Sequence, residues 1–174
     1  PSGREDGIVG VPYDNERKIL SFHVWSIAPD GHEYAVKDKE MADLGYPGQG
    51  NYYDDEKVRA AQAPGRDPGG IVAYEYEQKV RPYLTEVTWF VQDDLPRLHE
   101  TFTLQLPVGF TYGTVWAHHD EVKPIDLEKQ RWHWEMRNVP MLDLDEVPMR
   151  PSAMALEGRM TVHYGGPTLP LVTD

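Results

Sequence analysis

Apolar and polar side chains alternate with a period of two along most of this chain, and clusters of Gly, Pro and Asp cut the alternation into short runs. Such runs bounded by turn residues predict β-strands, and no stretch carries the 3.6-residue period of a long helix. The expected strands begin with Ile8 to Tyr13, followed by turn material at Asp14-Asn15-Glu16. A hairpin over Lys18 to Lys37 comes next, closed by Pro29-Asp30-Gly31. In its first strand Leu20, Phe22 and Val24 share one face while Ile19, Trp25 and Ile27 share the other. An apolar residue set on both faces predicts cover on both sides of that strand.

Lys39 to Gln49 is polar, contains Gly45-Tyr46-Pro47-Gly48, and reads as a loop. Asn51 to Gln62 is assigned as a strand on the strength of Tyr52-Tyr53, with a helical turn carrying Val58, Ala60 and Ala61 as the alternative, and Pro64 to Gly70 is a dense breaker cluster. Ile71 to Val80 alternates most clearly, with Val72, Tyr74, Tyr76, Gln78 and Val80 on one face, taken as the packed one. Further strands are expected at Glu86 to Gln92, Leu98 to Leu106, Phe110 to Ala117, Arg131 to Arg137 and Arg159 to Tyr164. Leu98, Phe102, Leu104 and Leu106 are placed inward, and Trp132, Trp134 and Met136 share a face. Pro140 to Gly158 reads as an extended arm with one helical turn at Ala153 to Leu156. About nine to ten strands at this spacing predict an all-β, antiparallel sandwich-like domain over residues 7–164. It is either one body or two abutting sheets or subdomains. Residues 165–174 read as a linker toward a further region.

Composition narrows the function classes. The chain has 174 residues and a formal charge of -12, which repels phosphate backbones, and no basic patch with interleaved aromatics offsets it. Nucleic acid is therefore not an expected partner. No apolar run approaches the roughly 18 residues of a spanning helix. With no cysteine, the chain has no disulfide, thiolate metal site or cysteine nucleophile.

Each candidate chemistry has a plainer counterpart. His118-His119-Asp120-Glu121 groups metal-ligating residue types, but neighbours on a strand point to opposite faces, so a solvated strand end is the simpler reading and no metal site is assigned. The acidic runs Asp54-Asp55-Glu56 and Asp143, Asp145, Glu146 lack the glycine-containing wrap of a calcium loop. Glu75 and Glu77 lie about 7 Å apart by strand rise, as a carboxylate pair would, and also read as exposed alternating charge. Ser2, Ser21, Ser26 and Ser152 lack a nucleophile elbow. No catalytic residue and no cofactor are assigned. Trp132, Trp134, Tyr74 and Tyr76 are the candidate ligand-binding residues, because an exposed row of aromatics on a sheet stacks on sugars or holds a peptide; the alternative is core packing.

Four motif groups occur in order: Val11-Pro12-Tyr13-Asp14 with Ala28-Pro29-Asp30-Gly31; Pro64-Gly65 and Pro68-Gly69 before Ile71-Val72-Ala73-Tyr74-Glu75-Tyr76; Glu100 to Pro107 leading into Gly109; and Arg131-Trp132-His133-Trp134 with Asn138-Val139-Pro140 and Glu146-Val147-Pro148. Together they resemble the domain-of-unknown-function family 3857, over roughly residues 7 to 164. The resemblance implies an all-β module preceding a transglutaminase-like domain in exported bacterial proteins, located in the periplasm or cell envelope. The expected function is a noncatalytic accessory or binding and positioning module, whose partners are that adjacent domain and a protein or cell-envelope component. A carbohydrate-active or metal-assisted hydrolase domain is the alternative.

Overall fold

The structure, a computed structural model, describes residues 7–45, 55–81, 85–142 and 153–167. The chain is all-β, and it divides into two compact units at residues 81–82. The first unit holds β1 (Ile8–Tyr13), β2 (Arg17–Ile27), β3 (Glu33–Ala35), a 3-10 turn (Asp38–Glu40), β4 (Ala42–Gly45), β5 (Lys57–Gln62) and β6 (Ile71–Val80). The second holds β7 (Glu86–Phe90), β8 (Arg97–Gln105), β9 (Thr111–Ala117), β10 (Ile125–Asp126), β11 (Arg131–Val139), α1 (Ala153–Leu156) and β12 (Arg159–Gly165). All pairings are antiparallel among the described residues.

Each unit contains two three-stranded sheets, ordered β1-β5-β4 and β3-β2-β6 in the first and β10-β11-β8 and β7-β12-β9 in the second. Pro12 sits within β1 because β1 is an edge strand, where a missing N–H breaks no ladder. Gln78 Nε2 ties the two sheets of the first unit by donating to the Pro12 carbonyl at 2.6 Å. The first core is built from Val9, Val11, Phe22, Val24, Ala61 and Ala63. The second is bulkier, with Trp89, Trp134, Met136, Met160 and Val162 among its buried members.

The predicted hairpin forms. Ala28 O accepts from Gly31 N (2.8 Å) and Ala28 N donates to His32 O (2.8 Å), with Gly31 at φ +86°, a conformation glycine adopts without a Cβ clash. Its first strand departs from simple alternation. Ile19 faces Gln78 but Ser21 faces Glu77, so Leu20 is an extra residue bulged out of the β2–β6 ladder and is 56% exposed. Ile19, not Leu20, joins Phe22 and Val24 against the core. On the second face Trp25 and Ile27 are about 40% exposed, so among the described residues that face is only partly covered.

Other expectations also change. The segment 39–49 contains the 3-10 turn and β4, which joins β5, so it is not simply a loop. The strand expected over 51–62 begins at Lys57, and residues 51–54 lie outside the described set. Twelve strands are present among the described residues, because β4 and β10 are too short for an alternation to register. Leu98, placed inward, is 78% exposed. It lies where β8 and β11 lose their pairing opposite Asn138, whose φ of +53° breaks the pleat and turns Val139 inward. The helical turn Ala153–Leu156 forms, while most of the expected arm, residues 143–152, lies outside the described set. β12 runs through Gly165, and a Cβ on Gly166 would meet the Phe110 ring at 2.9 Å.

Candidate functional site

A groove of about 700 Å³ opens in the first unit. It exists because β3 is short. β2 spans Arg17–Ile27, but β3 pairs only with Trp25, Ser26 and Ile27. After Val36 the chain enters the 3-10 turn, where Lys37 N donates to Glu40 Oε2 at 2.9 Å and Glu40 N to Lys37 O at 2.8 Å. It then crosses to the other sheet as β4. Ile19, Phe22, Val36 and Met41 give the groove an apolar lining, and Tyr13, Asp14, Lys18, Asp38, Asp43 and Arg59 supply its polar groups.

Four of those polar groups, Tyr13, Asp38, Asp43 and Arg59, are engaged with one another, and Asp14 is held by its neighbours in sequence. Arg59 Nη1 lies 2.9 Å from Asp43 Oδ2, and its Nη2 lies 3.6 Å from Asp38 Oδ1. Desolvation, then the hydrogen bond and negative charge of Asp43, push the Tyr13 phenol above its ordinary pKa, with Arg59 opposing. Asp14 Oδ1 accepts the backbone N–H groups of Glu16 and Arg17, both at 2.7 Å, and its Oδ2 accepts Arg17 Nε at 2.8 Å. The Arg17 side chain foremost, with the Glu16 N–H, holds the Asp14 carboxyl below its usual range. A carboxylate held ionised in this way anchors charge and is a poor proton donor at neutral pH.

The aromatic candidates fall into two places. Tyr74 and Tyr76 belong to the first unit, opposite Val24 and Phe22 on the core side of the sheet. They are nevertheless 56% and 48% exposed, because β6 is the edge strand and its side chains overhang the core. The tyrosine face is the inward face the alternation suggested, with Val72 packed on the core, but the two tyrosine rings on it remain largely exposed. Their rings lie parallel within 6°, with centroids 6.4 Å apart. Trp132 and Trp134 belong to the second unit. Trp134 is 1% exposed, its ring enclosed by Phe102 and Tyr112. Trp132 is half-buried against Tyr112, with centroids 4.4 Å apart. The four residues belong to two different sheets, β6 in one and β11 in the other.

The histidines are dispersed. His99 lies 3.1 Å from Glu135, His163 3.5 Å from Glu86, and His133 Nδ1 2.8 Å from the Thr103 hydroxyl. His119 Nδ1 lies 2.7 Å from the Asp120 carbonyl, and its ring packs on Trp116. Among the described residues no group of three or more His, Asp or Glu is placed to hold a metal ion. Asp143, Asp145, Glu146 and Asp54 lie outside the described set. Glu75 and Glu77 are exposed on β6, across from His23 and Ser21. In the second unit, Arg97 Nη1 donates to the Phe90 carbonyl at 2.7 Å and to Glu100 Oε1 at 2.5 Å, and Nη2 to Asp93 Oδ2 at 3.0 Å. Trp89 Nε1 donates to the same Glu100 oxygen at 2.6 Å. Burial works against the Asp93 carboxylate, but hydrogen bonds from Asp94 N–H and Arg97 outweigh it and lower its pKa.

Sequence reasoning missed the groove residues. Tyr13, Asp43 and Arg59 meet only because Asp43 pairs with Arg59 across β4–β5 and Tyr13 ends the neighbouring edge strand. The one local signal was the early break after Val36, where alternation gives way to Lys37-Asp38-Lys39-Glu40.

No curated protein matches the sequence. A crystal structure from Parabacteroides distasonis, described as a "putative protease", has a similar fold, with a TM-score of 0.72 at 16% identity. The match covers 94% of this chain and 33% of that one, so this chain spans about a third of the length of that protein. The sequence model of a domain of unknown function with solved structures, DUF3857, matches residues 1–143. With that match over most of its length, the chain belongs to the DUF3857 family.

Proposed function

We propose that this chain is a noncatalytic binding and positioning module of a larger exported bacterial protein, acting beside a transglutaminase-like domain of the same polypeptide in the periplasm or cell envelope. The observation that carries the reading is the groove of the first unit. Its apolar lining offers contact area, and its charged groups are held in ion pairs that fix the orientation of a guest. The carboxyls whose titration is displaced, Asp14, Asp93 and Glu135, are all pulled down, which suits anchoring and not acid catalysis. The fold match covering a third of a much longer chain is compatible with a module that serves neighbouring domains.

The test is made on the full-length gene product. Replacing Asp38 by Lys at the groove rim is expected to raise KM of the neighbouring domain several-fold and leave kcat unchanged, as a lost delivery or docking contact does. Turnover of any substrate by the 174-residue chain alone would overturn the noncatalytic reading.

A further inference from the structure

The groove borders an unfinished strand position. On β2 beyond the bulge, the even-numbered residues direct their backbone groups toward β3: Val36 N donates to Val24 O at 2.9 Å, and Ala28 N donates to His32 O at 2.8 Å. Antiparallel pairing alternates, so the next residue on that side is Phe22. β3 has no residue to offer it, because its last pairing is at Trp25 and the chain leaves for the 3-10 turn after Val36. The Phe22 N–H and C=O therefore face the groove with no strand beside them among the described residues. The bulge at Leu20 ends the regular edge just upstream, so the open edge is short.

The chemistry around this edge selects the guest. Ile19, Val36 and Met41 supply apolar surface, and Asp14, Asp38 and Asp43, with Glu56 sharing Arg17 with Asp14, make four carboxylates against the three cations Arg17, Lys18 and Arg59. Asp38 is the most open of them, with its side chain 90% exposed. The whole chain carries a formal charge of -12. An unpaired edge beside an apolar trough with an acidic excess fits an extended segment whose side chains alternate between aliphatic and basic.

We propose that the groove binds a short extended peptide with alternating aliphatic and basic side chains, which pairs with Phe22 and continues the β3 position of the sheet. This rests on the binding-module reading and names the class of its guest. Backbone pairing supplies the geometry, and the acidic rim supplies the preference for cationic side chains.

The test titrates the isotopically labelled chain with a capped hexapeptide of alternating valine and lysine, followed by amide NMR. The expected result is a saturable shift at Phe22 and the residues flanking it, with slower hydrogen exchange of the Phe22 amide. Two altered peptides separate the contributions. N-methylation at alternate residues removes the pairing donors and is expected to weaken binding about tenfold or more. A valine–glutamate peptide is expected to weaken it to a similar degree. Asp38→Lys, on an exposed side chain that leaves the fold intact, is expected to weaken the lysine peptide about threefold. Equal binding of the N-methylated peptide, shifts confined to other surfaces, or no response at about 1 mM peptide would each overturn the proposal. If the groove is silent yet the full-length protein still depends on this module, the peptide inference falls and the module reading stands. If the peptide pairs at Phe22 but removing the module changes nothing in the full-length protein, the inference stands and the module reading falls.

Discussion

Val9, Val11, Val24, Ala61 and Ala63 make up most of the first unit's buried interior, whereas the second unit buries Trp89, Trp134, Met136 and Met160 among its larger residues. Both are built from two three-stranded sheets, so the difference lies in what fills the space between them. Bulky side chains in the second unit bring an aromatic cluster, Trp89–Phe102–Trp134–Tyr112, into ring contact. The first unit buries Phe22 but leaves Trp25, Tyr74 and Tyr76 at least 40% exposed and opens a groove beside a strand that ends early. The contrast teaches that the second unit is organised around its core and the first around a surface.

The largest expected effect is at Trp134. Truncation to Ala should destabilise the second unit by about 3–5 kcal/mol, read by denaturant unfolding, with the first unit's core amides at Val11 and Val24 much less affected. Equal loss in both units would erase the contrast drawn above. Arg97→Ala comes next, at about 2 kcal/mol in the same measurement, because it leaves the largely buried Glu100 without its cation. A gain of about 1 kcal/mol is expected from Lys129→Gly, since Glu128, Lys129 and Gln130 all adopt φ near +60° between β10 and β11. An unchanged melting temperature would show that the turn costs the second unit nothing.

Acid should also separate the units. Asp14, Asp93 and Glu135 have folded pKa values below their ordinary 3.8, 3.8 and 4.5, so each contributes stability that is present above those values and lost as pH falls through the lower folded ones. Two of the three belong to the second unit. Its unfolding midpoint should therefore fall more than the first unit's between pH 6 and about pH 3, and an equal fall would contradict the assignment. The smallest effect is expected at Tyr74→Ser. Its ring overhangs an edge strand, so stability should change by no more than about 0.5 kcal/mol, and a larger loss would mean that the ring is part of the first unit's core.

The long strands were readable because each alternates over enough residues to show its inward face, as Trp132, Trp134 and Met136 do on β11. What escaped was set by pairing across distant residues. Nothing local to Leu20 marks it as a bulge, and Leu98 is displaced by a left-handed residue forty positions away, Asn138. The exposure of Tyr74 and Tyr76 follows from strand order, which alternation does not encode. The aromatic candidates were recognisable as residue types, but whether each faced core or solvent depended on that order. The groove was least legible, since it gathers side chains from positions 13 to 59 around the point where β3 stops.

Leu20 also defines a place where the chain tolerates a change of length. The pairs Arg17–Val80, Lys18–Lys79 and Ile19–Gln78 hold one register, and Ser21–Glu77 onward hold the next. Removing Leu20 would splice these into a continuous ladder, with every other residue of β2 keeping its partner and its face. Removal of any residue between Phe22 and Ile27 would instead transpose inside and outside for part of the strand. Length variation in relatives of this chain is thus expected to concentrate at this bulge, and a relative lacking the extra residue would present a straight strand on this side of the groove.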